Sequence, residues 1–185
     1  MEFGELAGHL SALAETARHF FIGVPAREWR NPYPGSSAWT KGELLGHLID
    51  SAVNNQQRFT RAMIEEKLVF PSYPQIEMVR VQRYREAPVG LLIELWSNLN
   101  RYIAHLLLQI PPAKLGTRCV IGENPESTLE LVALDYVAHL EHHLKQLAGQ
   151  DALPYSDLPW PPPDRWQDEI NAKAQGRKDA KRTSK

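Results

Sequence analysis

The sequence is poor in cysteine, because Cys119 is the single cysteine among its 185 residues. One thiol excludes an internal disulfide, and it also excludes a zinc site built from several cysteines. Any metal ion held within this chain must therefore use mainly nitrogen and oxygen ligands.

Long apolar runs and an excess of one charge are also lacking. No segment approaches the roughly 20 apolar residues of a membrane-spanning helix, and the N-terminal MEFGELAGHL lacks the layout of a signal peptide. The 21 Lys and Arg residues nearly balance the 22 Asp and Glu residues, so nothing favours binding to nucleic acid or to anionic membranes. We expect a cytoplasmic protein without either partner.

Apolar spacing predicts an all-α protein. Hydrophobic residues make up 43% of the chain, enough for one sizeable core. Their three-to-four residue spacing predicts helices over about 2–22, 40–67, 88–110 and 128–149, and no alternating pattern predicts a strand. The four helices form one unit over residues 1–150. Residues 151–185 are proline-rich and then basic and polar, which predicts an extended arm and a mobile tail.

Two helix starts carry the spacing of a capping box, in which a hydroxyl side chain and a glutamate three residues later cap each other. Thr40 and Glu43 form the first such pair, and Ser127 and Glu130 form the second. We therefore expect the second helix to begin after Thr40 and the fourth after Ser127.

Three of the seven histidines lie in one short segment, DYVAHLEHHLKQL, residues 135–147. At about 100° per residue, His139 and His143 lean toward the apolar face of the predicted helix, whereas His142 lies on the polar side. Two imidazoles one helical turn apart can share a metal ion. The same spacing is also typical of histidines that pack at the edge of a core, so this pair alone does not decide between the two.

A polar line on the second helix bears on this choice. His47, Ser51, Asn54 and Arg58 run along one side of that helix, beside its apolar face. A wet pocket would relieve the cost of placing polar groups there. A solvated flank, with Arg58 paired to an acid on a neighbouring helix, explains the line as well. Metal sites in helical bundles use side chains from facing helices, so His47 could complete a triad.

The remaining histidines do not fit such a site. His19 and His105 are predicted to lie on the surface, and His9 at the edge of its apolar face. We expect these three to serve as packing or surface residues.

Two motifs together resemble the DinB superfamily, especially its YfiT-like metal-dependent hydrolases. HLIDSAVNNQQR, residues 47–58, matches that family's H-L-x-D-S-x-x-N-x-x-x-R pattern, and HLEHHLKQL, residues 139–147, carries its H-x-x-H-H pattern. The resemblance covers about residues 1–150. It implies that His47, His139 and His143 bind the metal. Some relatives have a further histidine where this chain has Gln146, and a tryptophan where it has Ala138.

The resemblance also implies a fold and a range of activities. It implies an up-down-down-up four-helix bundle, often a homodimer, that holds a divalent ion such as zinc or nickel. Family members include thiol-dependent S-transferases that act with bacillithiol or mycothiol. The substrate would then be a small molecule, and for an S-transferase a low-molecular-weight thiol would be the co-substrate.

Three histidine ligands leave positions open for water or substrate, as in catalytic metal sites. Such an ion could activate water for hydrolysis or hold a thiolate for transfer. We expect Asn54, Arg58 and Trp39 to bind substrate, with Tyr33 nearby, because the guanidinium fork of arginine suits a carboxylate.

Two acids are candidates to orient a ligand imidazole through its second nitrogen, namely Asp50 and Asp135. Both also suit a solvated helix surface. Two alternatives to an enzyme remain open: a non-enzymatic metal- or ligand-binding module, and a bundle with no functional metal.

Overall fold

The computed structural model describes residues 3–33 and 39–148. The arm and tail predicted for 151–185 lie outside these residues. The elements are, in chain order, α1 (Phe3–Gly23), α2 (Lys41–Ile64), β1 (Lys67–Phe70), α3 (Gln75–Gln82), α4 (Val89–Leu108), β2 (Arg118–Ile121), β3 (Ser127–Thr128) and α5 (Leu129–Ala148).

Four long helices form the bundle that the sequence predicts, and the all-α class is confirmed. Helix α4 packs against α1 and α2, while α5 packs against α2 and less extensively against α1. The core between them contains fully buried aromatic rings from three helices, Phe21, Phe59 and Trp96. Among the described residues, no helix is long and apolar enough to cross a membrane.

The helix directions follow from which ends meet. Trp29, Gly42 and Leu92 line one small cavity, so the end of α1 meets the starts of α2 and α4. Helices α2 and α5 run antiparallel, because His47 contacts His139 while Phe59, further along α2, packs against the earlier Tyr136. The four long helices therefore run up, down, down and up. The segment from residue 65 to 88 leads the chain from the end of α2 back to the end of the bundle where α2 began, so that α4 starts there too.

A small sheet joins the segments that follow α2 and α4, and the prediction of no strands was wrong. Strand β1 pairs in parallel with β2, from Lys67 opposite Arg118 to Phe70 opposite Ile121, and β2 pairs antiparallel with β3. Each strand has four residues or fewer, too few for a visible alternating pattern. Helix α2 correspondingly ends at Ile64 rather than near residue 67.

One predicted capping box is present and the other is not. The Thr40 hydroxyl accepts from the Glu43 amide at 3.2 Å, and the Glu43 carboxylate accepts from the Thr40 amide at 2.8 Å. Ser127 instead pairs with Cys119 in the sheet. Since that pairing holds the Ser127 backbone extended, α5 begins later and Thr128 caps it, accepting from the Leu131 amide at 3.3 Å.

Gly46 allows a close approach between α2 and the residues that follow α3. A β-carbon at position 46 would overlap the ring of Tyr84. The buried Tyr84 hydroxyl donates to the Asp50 carboxylate at 2.7 Å, one turn further along α2. The glycine therefore permits a buried hydrogen bond that ties the returning segment to the helix that carries His47.

We predict that Gly46→Ala lowers the free energy of unfolding by about 1–3 kcal/mol, because the added methyl group overpacks against Tyr84. Gly8→Ala is the control, since Gly8 is exposed in α1 and a β-carbon there meets nothing within 4 Å. That change should stabilise by up to about 1 kcal/mol through helix propensity. Urea unfolding measures both, and an unchanged or more stable Gly46→Ala protein would contradict the packing.

Candidate metal centre

Antiparallel packing of α2 and α5 brings together the three histidines that the sequence analysis selected. The Nε2 atoms of His47 and His139 are 3.4 Å apart, and those of His143 and His139 are 3.1 Å apart. One nitrogen from each ring lies within 4.8 Å of the others. His47 is buried, while His139 and His143 are half-buried. The cluster lies at the edge of the core.

The other four histidines lie outside this cluster. His142, His19 and His105 are exposed, although the His142 ring lies beside that of His143, with centroids 5.1 Å apart. His9 is buried and contacts Glu141 at 2.7 Å, which ties α1 to α5.

Two of the clustered imidazoles, His47 and His143, are held in their neutral form. Burial lowers the pKa of His47 to about 4, with a further contribution from the nearby His143. Burial also lowers the pKa of His143, assisted by His142 and opposed by a hydrogen bond to Gln146. A metal ion binds the neutral ring through its lone pair. These rings therefore keep their lone pairs at neutral pH.

Hydrogen bonding alone does not satisfy all three nitrogens. The Nε2 atom of His139 makes both short contacts, and it can either donate one proton or accept one. Only one of its two contacts can therefore be a hydrogen bond. Zinc bound to two nitrogens at about 2.0–2.1 Å with tetrahedral geometry places them about 3.3 Å apart. The observed 3.1 and 3.4 Å fit that spacing, so the residues present suit a divalent ion.

Different contacts orient two of these rings. His143 Nδ1 lies 2.7 Å from the Gln146 side-chain oxygen. The indole of Trp39 packs on His47, with ring centroids 5.4 Å apart, while His47 Nδ1 is buried and makes no hydrogen bond among the described residues.

Asp50 does not orient a ligand imidazole, contrary to expectation. Its Oδ1 accepts from Gln82 at 2.6 Å and from Tyr84 at 2.7 Å. Its Oδ2 is buried and makes no hydrogen bond among the described residues. The carboxylate faces the segment that returns from α3, so its role is to hold that segment against α2. Asp135, the other candidate, lies one turn before His139 and lines the cavity described next.

A cavity of about 600 Å³ opens beside His139. Its walls come from α2, α5, the segment after β1 and the connection between β2 and β3. They mix polar and apolar groups, including Ser51, Asn55, Arg58, Tyr73, Cys119 and Asp135. This volume suits a small molecule, and His139 places the histidine cluster at its edge.

The predicted substrate-binding residues are distributed differently around the site. Arg58 lines the cavity, and Asn55 rather than Asn54 does so from the same helix. The Asn54 amide instead donates to the Asp50 backbone oxygen at 2.8 Å. Trp39 lies against His47, and the half-buried Tyr33 packs against the core.

Sequence reasoning missed two residues of this site. Tyr73 lies in a proline-flanked segment with no periodic pattern, and its hydroxyl reaches Ser51 on the cavity wall. Burial raises the pKa of Tyr73, against an opposing effect of Arg58, so the phenol stays protonated. Gln146 was visible only as a departure from the family pattern.

Comparison with known proteins is consistent with this geometry. The sequence profile of the DinB superfamily matches residues 9–147. The chain belongs to the DinB superfamily. Its fold is similar to that of YfiT from Bacillus subtilis, described as "a probable metal-dependent hydrolase with an unusual four-helix bundle topology". The TM-score is 0.69 at 20% identity, over 78% of this chain and 83% of YfiT.

Two curated relatives carry similar names. "Putative metal-dependent hydrolase BH0277" of Halalkalibacterium halodurans is 25% identical over 117 residues, 63% of this chain and 67% of the relative. "Putative metal-dependent hydrolase OB0413" of Oceanobacillus iheyensis is 26% identical over 110 residues, 60% of this chain and 63% of the relative. The matches thus span about two thirds of the relatives' own lengths.

We predict that metal-free protein loses stability in acid through His47. The unfolded imidazole titrates near the ordinary 6.5 and the folded one near 4, so unfolding takes up a proton between these values. The contribution of neutral His47 is complete above pH 6.5 and falls by about 1.4 kcal/mol per pH unit toward pH 4. Urea unfolding should show this loss relative to His47→Gln. Parallel pH profiles of the two proteins would contradict the burial argument.

Proposed function

We propose that His47, His139 and His143 bind a divalent metal ion, zinc or nickel, which serves an enzyme acting on a small molecule. The observation that carries this proposal is the convergence of three imidazole nitrogens at the edge of a cavity. Three ligands leave coordination positions open for water or substrate, unlike a closed structural site. The names of the relatives, which describe metal-dependent hydrolases, favour the same class.

Two reactions fit such a site, hydrolysis and thiol-dependent S-transfer. When bound, a divalent ion supplies Lewis acidity, which activates water or stabilises a thiolate. The protein's own groups would then bind and orient the substrate in the adjacent cavity. For S-transfer, the thiol partner would be a low-molecular-weight thiol.

The cavity walls provide groups for binding a small substrate. Arg58 lies three turns along α2 from His47; its Nη1 donates to Asn55 at 3.3 Å and its guanidinium lies 5.4 Å from the Phe70 ring centroid. Both contacts hold the fork at the cavity wall, where it would pair with a substrate carboxylate. Trp39 would shield the ion on the His47 side, and Asp135 would orient His139 or a substrate group.

A non-enzymatic metal- or ligand-binding role is the second candidate. Its support is the burial of His47, because a buried ligand can hold an ion that stabilises the fold as well as one that takes part in catalysis. Turnover assays of the metal-loaded protein with ester, amide and thiol-plus-electrophile substrates separate the two. Turnover that chelation removes supports the enzyme, whereas metal binding without turnover across these classes supports the binding role.

We also propose that the protein is a cytoplasmic homodimer. Helix α4 exposes a stripe of large apolar side chains that a second copy would bury, Leu91, Leu95 and Tyr102. Tyr102 of this stripe is 52% exposed. Sedimentation equilibrium of the full chain measures the association.

We predict that replacing His47, His139 or His143 with Ala abolishes stoichiometric metal binding, because each change removes one of three ligands. His142→Ala should leave most of it, because that ring lies outside the cluster. Metal analysis of untagged protein, purified without added metal and then loaded with Zn²⁺, measures both. Equal loss in all four variants, or retention in the three cluster variants, would refute the assignment.

We predict that Arg58→Lys weakens turnover or ligand affinity while metal content and thermal stability stay nearly unchanged. Lysine keeps the charge but loses the planar fork that binds two oxygens at once. Substrate affinity, metal content and melting temperature are measured on the same preparation. A loss of about 3–5 kcal/mol in stability would instead mark Arg58 as one partner of a buried ion pair.

A further inference from the structure

We propose that Gln146 is a positioning residue that fixes the tautomer of His143, with His142 setting the direction of the Gln146 amide. This inference rests on the proposed metal site. It assigns a role to a residue at which the chain departs from the family pattern, and to the exposed histidine that the cluster leaves out.

The spacing of these residues on α5 makes the contacts possible. Gln146 follows His143 by three positions and His142 by four, so both rings lie one turn before it on the same surface of the helix. The two ends of its amide contact one ring each. Its Oε1 lies 2.7 Å from His143 Nδ1, and its Nε2 lies 3.2 Å from His142 Nε2.

The contact with His143 decides where that ring carries its proton. An amide oxygen only accepts hydrogen bonds, so His143 Nδ1 must be the donor. A neutral imidazole carries one proton, which leaves His143 Nε2 with its lone pair. Nε2 is the atom that lies 3.1 Å from His139 Nε2 within the cluster. Gln146 thus prepares the nitrogen that faces the proposed ion.

The contact with His142 decides which way the amide points. A reversed amide would aim its NH₂ group at His143 Nδ1, which would move the ring proton to Nε2 and occupy the ligand atom. His142 Nε2 accepts from the amide nitrogen in the observed arrangement, and this bond favours the productive orientation. His142 therefore acts on the cluster through Gln146, although it is exposed and outside the cluster.

Neighbouring acids do not take this role for His143. Asp50 is held by Tyr84 and Gln82, and Glu141 contacts His9. Such partners of metal-binding histidines typically change metal affinity about 10- to 100-fold when they are replaced.

The test compares four variants of the full chain: Gln146→Leu, Gln146→Glu, His142→Ala and Gln57→Leu. Competition with a chromophoric chelator gives the Zn²⁺ dissociation constant of each. Gln146→Leu should weaken binding about 10- to 100-fold, whereas Gln146→Glu keeps an acceptor and should bind at least as tightly as wild type. His142→Ala should weaken Zn²⁺ binding by a smaller factor than Gln146→Leu. Gln57 is exposed on α2, so Gln57→Leu should bind Zn²⁺ with the wild-type dissociation constant.

Nitrogen-15 NMR of metal-free protein reports the tautomer of His143, a second measurement that does not depend on the stability of the fold. His143 should carry its proton on Nδ1 in wild type and in Gln146→Glu, and should show a mixture of tautomers in Gln146→Leu. A proton on Nε2 in the wild type overturns the proposal. Unchanged affinity in Gln146→Leu beside tight wild-type binding also overturns it while leaving the metal site intact. A wild type that binds no Zn²⁺ overturns the metal site itself.

Discussion

The antiparallel packing of α2 against α5 is the contact on which the site depends. It sets an early turn of α2 beside the later turns of α5, so His47 meets His139 and His143. Apolar neighbours on both helices supply the burial that holds His47 and His143 neutral. A shift of one helix along the other by a single turn would move the rings about 5.4 Å apart and dissolve the cluster.

The buried polar groups of α2 divide between structure and chemistry. On one side, the Tyr84 ring packs against Gly46 and its hydroxyl donates to Asp50. These two contacts hold the returning segment against the bundle. Burial raises the pKa of Asp50, and its hydrogen bonds from Tyr84 and Gln82 oppose that rise. On the other side, His47 faces α5. Helix α2 therefore both holds the connection between α2 and α4 and carries His47. This double role explains why many polar residues lie close together beside its apolar face.

The small sheet adds a wall to the cavity that the bundle alone does not provide. Strand β2 brings Cys119 to the cavity, and the connection to β3 brings Glu123 and Asn124 to its rim. The segment after β1 contributes Tyr73 from the other side. The two segments lie far apart in sequence and are brought together by the pairing of β1 with β2, so this wall of the cavity is built by elements with weak sequence patterns.

The sequence by itself determined the four long helices, the Thr40 cap and the inward direction of His139 and His143, because these depend on periodicity within one segment. Tertiary structure decided what depends on pairing between segments. Short strands form only when such segments meet, and the pairing of β3 with β2 makes α5 begin at Leu129, with Thr128 as its cap. Packing likewise decided the partners of Asp50 and the placement of Asn54 away from the cavity. The position of a residue on a helix predicts the direction of its side chain, but it does not predict which residue of another segment lies in that direction.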